Sequence, residues 1–134
     1  MNEQLVVVRT MLNWVEQTLS EFGDGRKMAS AAVTYQCEGG FDAVSSVTYS
    51  LVYLTPSTAL FSGFEAITVA SGGLQGALIL RHDGVFENGV ATIEASVVAD
   101  ACSGAFAGLD AAARIEADAG NPMKSTLIID TRRA

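Results

Sequence analysis

Residues 78–89 read LILRHDGVFENG, and the placing of one turn within them decides the fold. The stretch offers two turn dipeptides, Asp83-Gly84 and Asn88-Gly89. A hairpin turn at Asp83-Gly84 leaves only Val85 to Glu87 as a strand before the next turn. A two-residue turn at Asn88-Gly89 instead lets Gly76–Glu87 pair with Val90–Ala101, both long enough to cross a barrel. Gly84 then falls inside a strand, where a glycine predicts a bulge or bend. His82, the only histidine, shares parity with Leu78 and Leu80 and is expected on their face.

Outward from this hairpin the chain is punctuated by further turn signals, among them Gly23-Asp24-Gly25, Gly39-Gly40, Pro56-Ser57, Gly72-Gly73, Ser103-Gly104 and Gly120-Asn121-Pro122. Between them lie β-rich runs. Ser45 to Tyr53 puts Val47, Tyr49, Leu51 and Tyr53 on one face, and Val90–Val98 and Ser125–Thr131 read as further strands. Many short strands in one chain of 134 residues predict a single all-β domain, an antiparallel sandwich or barrel. Two stretches are ambiguous. Val8, Leu12, Val15, Leu19 and Phe22 fall at helical spacing with Gly23 at a C-cap position, and Leu109–Ala117 suits a helix by propensity.

Composition narrows the function classes. With 15 acidic and 8 basic residues the formal charge is −7, and basic residues cluster only at Arg26-Lys27 and Arg132-Arg133, so a nucleic-acid partner is not expected. Uncharged Ala43–Phe64 is broken by Pro56 and by hydroxyls that alternate with apolar residues, which reads as two strands and a turn rather than a membrane span. The amino terminus has too short an apolar run for a signal peptide, so a cytoplasmic location is expected. Cys37 and Cys102 are far apart and lack ligand spacing. They read as buried, inert thiols, and neither a metal nor a cofactor is expected. There is no GxSxG nucleophile motif, and Gly72–Gly76 reads as a turn rather than a phosphate cradle.

The runs Trp14-Val15-Glu16, Arg26-Lys27-Met28 leading to Ala31-Ala32-Val33, Leu51-Val52-Tyr53, Phe61-Ser62-Gly63-Phe64-Glu65, Gly73-Leu74-Gln75-Gly76 and Leu80–Phe86 resemble a bacterial family of small barrels. That family is known as a domain of unknown function and is similar in fold to plant allene oxide cyclase. The resemblance covers about Val7 to Ala117. It implies a closed or nearly closed antiparallel barrel of about eight strands, and it turns both ambiguous stretches into strands. Gly108-Leu109-Asp110-Ala111 departs from the family's glycine-rich run. The segment 120–134 is not part of the match and is expected to complete the barrel or add an edge strand.

Strand parity then locates candidate chemistry. Trp14 and Glu16 share a face, as do Phe61 and Glu65, and His82 lies with Leu78 and Leu80, so Glu16, Glu65 and His82 are expected inside the barrel. Such groups suit an acid–base site or a polar anchor for an apolar ligand, and the bland alternative for each glutamate is a rim position or an ion pair with Arg81, Arg26 or Arg114. The expected function is binding of a small, largely apolar molecule by Trp14, Glu16, Tyr49, Tyr53, Phe61, Glu65 and His82. The alternatives are an isomerase or cyclase using an inward glutamate, and a structural oligomer. A homodimer or small homo-oligomer is expected because parity puts Ala77, Ile79, Ile93, Ala95 and Val97 on an outward apolar face.

Overall fold

A computed structural model describes residues 3–118, 120, 121 and 123–131, so Pro122 and the Arg132-Arg133 pair lie outside the described residues. Eight strands run in chain order around a closed antiparallel barrel: β1 Glu3–Gly23, β2 Arg26–Gly39, β3 Ala43–Thr55, β4 Thr58–Ser71, β5 Leu74–Glu87, β6 Val90–Val97, β7 Ala111–Ala117 and β8 Lys124–Thr131. Strand β8 pairs with both β7 and β1, so the C-terminal segment closes the ring. Among the described residues, no helix is long and apolar enough to cross a membrane.

The hairpin at Asn88-Gly89 forms as its sequence predicts, with both residues at positive φ. Two details differ. Strand β6 ends at Val97, and Ala99–Ala101 is a 3₁₀ turn, so the pairing stops short of Ala101. Gly84 is not a bulge, because register with β4 and β6 is continuous through it. A Cβ there would collide with the Phe61 ring. The glycine makes room on the inner wall for an aromatic side chain.

Strand β1 shows why a strand can imitate a helix. Its register against β2 shifts between Met11 and Asn13, between Thr18 and Ser20, and between Glu21 and Gly23. Each shift sets one extra residue in β1, and those residues are Leu12, Leu19 and Phe22. Three extra residues in a period-2 strand stretch the apolar spacing to a helical one. All three are exposed.

Parity fails on β6. Ile93 pairs with Gly84, Ala95 with His82 and Val97 with Leu80, all inner-wall positions, and the three β6 side chains pack on the core. Ile79 points outward but is covered by the segment after β6, where Cys102 Sγ accepts from its N–H and Phe106 is buried. The apolar face expected from Ala77, Ile79, Ile93, Ala95 and Val97 therefore does not exist. The exposed apolar row lies elsewhere, across β2 to β5, at Met28, Val52, Leu60 and Val85.

One half of the interior is filled by Val7, Cys37, Ile67, Leu78, Leu80, Leu127 and Ile129, with Phe41 and Phe106 packed edge to face. Cys37 and Cys102 are both buried free thiols. The other half is open.

Candidate functional site

A layer of polar side chains separates the filled half from the open one. Arg9 on β1 and Glu65 on β4 meet inside the barrel, with Nη2 2.7 Å from Oε1 and Nε 3.3 Å from Oε2. Ser45 donates to Oε2 at 2.6 Å, and Arg9 Nη1 donates to Ser125 Oγ at 2.8 Å. The Arg9 guanidinium also lies 3.9 Å from the centre of the Tyr35 ring. Arg9, Glu65 and His82 are fully buried, which is tolerable only because the charges pair and are hydrogen-bonded.

His82 extends the layer. Its Nε2 stands 2.8 Å from Glu65 Oε1, although the approach is off the line of a hydrogen bond. Its Nδ1 is 2.9 Å from the Tyr49 hydroxyl. A carboxylate that close to Nε2 favours a proton on that nitrogen, and Nδ1 shares a hydrogen bond with the Tyr49 hydroxyl. Burial alone would raise the Glu65 carboxyl, but the His82 contact, the Arg9 charge and the Ser45 hydroxyl outweigh it and hold Glu65 below the ordinary carboxylate range. Burial pushes the Tyr35 and Tyr49 hydroxyls up, so both stay protonated.

Above this layer lies a cavity of about 670 Å³, open at one end of the barrel. Its floor carries Arg9, Tyr35, Tyr49 and Ser125, and its walls include Trp14, Leu51, Phe61, Ile93 and Ile115. Trp14 and Phe61 each pack against the Tyr49 ring, with centroids 6.3 and 5.0 Å away. At the rim, Glu16 accepts from the Tyr53 hydroxyl at 3.0 Å and from Trp14 Nε1 at 3.2 Å, with Lys27 Nζ at 3.7 Å. Burial first, and then the Glu16 contact, push the Tyr53 hydroxyl up to about 12.

The seven sequence candidates divide accordingly. Trp14, Glu16, Tyr49, Tyr53 and Phe61 line the cavity, whereas Glu65 and His82 lie behind its floor and reach it only through Tyr49 and Arg9. The partner of Glu65 is none of the arginines considered from sequence. Arg81 pairs with Asp83 on the outside, Arg26 donates to the Phe22 and Gly23 carbonyls, and Arg114 faces Glu116 and Asp130. Sequence reading missed Arg9 because parity counted back from Trp14 and Glu16 places it outside, and the extra residue at Leu12 reverses that parity. The alternation Val7, Arg9, Met11 was the available signal.

A family model described as a protein of unknown function, DUF3224, matches residues 9–128. The chain belongs to the DUF3224 family. A crystal structure of a DUF3224 protein of unknown function from Shewanella oneidensis MR-1 is similar in fold, with a TM-score of 0.69 at 16% identity over 98% of this chain and 99% of that one. Comparison with curated proteins finds no significant match. The DUF3224 match runs from Arg9 on the cavity floor into β8 beyond Ser125, so it spans every residue of the polar layer.

Proposed function

We propose that this DUF3224 barrel binds a small, largely apolar molecule in the open half of its interior. The observation that carries the reading is the aromatic-walled cavity of about 670 Å³ standing on a floor of fixed polar groups. Its size falls within the range of small-molecule sites, and apolar walls with a few placed polar groups are what such sites require. The floor does not collapse into the space above it because the Arg9–Glu65–His82 layer is held by contacts from several strands.

The same geometry gives less support to acid–base catalysis by an inward glutamate. Glu65 is held by Arg9, Ser45 and His82, is kept ionised, and does not face the cavity. Glu16 does face it, but its carboxylate accepts from Tyr53 and Trp14 and sits beside Lys27.

Nile red, a neutral apolar dye that brightens when desolvated, tests the proposal. The wild-type protein should bind it saturably. Ala91→Trp, which places an indole in the cavity wall, should abolish the signal without unfolding the barrel. Equal binding by the variant, or no binding by either protein, would contradict the reading.

A further inference from the structure

We infer that the cavity selects an uncharged ligand with a hydrogen-bond acceptor at its inner end, such as a ketone, aldehyde or amide carbonyl on an apolar body. The inference rests on the binding role proposed above and adds the chemical class. Its basis is that the charges built into the interior wall are already paired within the chain. Arg9 on the floor is neutralised by Glu65 through two contacts, and Glu16 near the mouth is faced by Lys27. The remaining lining charges, Asp118 and Lys124, are exposed and opposite in sign. A carboxylate carried to the floor would lose its hydration and meet no free cation. An ammonium would meet no free anion.

The donor for a neutral acceptor is Ser125. It stands directly opposite Arg9 in the β1–β8 register, and its oxygen takes the Nη1–H of Arg9 at 2.8 Å. Its own O–H makes no hydrogen bond among the described residues, and it lines the cavity. A hydroxyl whose oxygen accepts from a cation is a polarised donor. Arg9 adds to this. Three of its five N–H groups go to Glu65 and Ser125, and even with the Tyr35 hydroxyl counted one remains. Tyr49 is less available, because its hydroxyl is already engaged by His82 Nδ1 and by Tyr35.

Four probes of one shape test the inference: 2-acetylnaphthalene, 2-ethylnaphthalene, 2-naphthoate and 2-naphthylmethylammonium. Each is titrated by calorimetry, with the indole N–H resonance of Trp14, the only tryptophan, reporting occupancy of the cavity. The ketone should bind about threefold to tenfold more tightly than the hydrocarbon, as one added hydrogen bond allows. Both ions should bind at least about tenfold more weakly than the ketone. Ser125→Ala should bring the ketone to the affinity of the hydrocarbon, and Ser125→Thr, which keeps the hydroxyl, should restore the preference. If the neutral pair bind alike, or either ion binds best, the inference is overturned while the binding role stands. If no probe moves the Trp14 signal, the binding role itself falls and the inference with it.

Discussion

Tyr49 and His82 join across Gly63: the three are directly opposite one another on β3, β4 and β5, and the Tyr49 hydroxyl lies 2.9 Å from Nδ1 of the imidazole. The middle strand carries no side chain at this position, where a Cβ would meet the β3 backbone. Tyr49→Phe removes the hydroxyl and leaves a buried ring nitrogen without a partner. It should cost about 1–3 kcal/mol of stability, measured by urea denaturation. A loss too small to resolve would mean that the hydroxyl–imidazole contact contributes nothing net.

Gly63 itself should tolerate no substitution. A Cβ at this position would run into the Thr48 carbonyl oxygen and crowd the Tyr49 Cα at 3.2 Å, both of them backbone. Gly63→Ala should therefore destabilise the barrel by about 2–3 kcal/mol or prevent its folding. Gly72, on a turn where a Cβ meets nothing but where φ is positive, should lose only about 1 kcal/mol when changed to alanine. Similar losses at the two positions would contradict the role given to Gly63.

The two inward-facing glutamates, one behind the cavity floor and one at its rim, should behave differently. Glu65→Gln leaves the buried Arg9 guanidinium without its counter-charge, a change expected to cost about 3–5 kcal/mol. Glu16→Gln acts at a partly exposed rim and should cost about 1 kcal/mol or less. The comparison is made by thermal or urea melts of both variants beside wild type. A smaller loss for Glu65→Gln than for Glu16→Gln would show that the polar layer does not hold the barrel together.

The acid limb of stability should carry the signature of Glu65. Its carboxyl is held below the ordinary value of 4.5, so the unfolded chain binds the proton more readily than the native one. Its contribution is complete above about 4.5 and is lost as pH falls through the lower native value. Denaturation midpoints of wild type should therefore drop below pH 4.5 more steeply than those of Glu65→Gln, if that variant folds, or of Glu65→Gln combined with Arg9→Met if it does not. Parallel curves would contradict the assignment.

How much of this was legible in the sequence differs from strand to strand. The β5–β6 hairpin could be read from Asn88-Gly89, because that dipeptide supplies the positive φ a tight turn needs. The inner face of β3 could be read directly, because its alternation runs unbroken through Val47, Tyr49 and Leu51. Strand β1 could not be read the same way, since an extra residue is recognisable only against its partner strand. The helix-like spacing of Leu12, Leu19 and Phe22 and the hidden inward turn of Arg9 have that one cause. On β6 the hairpin was correct but the face was not. Ile93, Ala95 and Val97 are inside because they stand opposite Gly84, His82 and Leu80, which follows from the register of the same hairpin. Gly84 could not be distinguished from a bulge by sequence, because its reason is the Phe61 ring on a neighbouring strand.

The most direct test of the binding account is to map where a neutral ligand sits. Backbone and methyl NMR shifts recorded during titration with 2-acetylnaphthalene can separate two apolar recesses, the interior cavity and an outer groove of about 540 Å³ that includes Val52, Leu60 and Val85. Saturable shifts are expected at Met11, Trp14, Leu51, Ile93 and Ile115, with the outer residues unmoved. Shifts confined to Val52, Leu60 and Val85, with Trp14 and Ile115 unchanged at saturation, would contradict it.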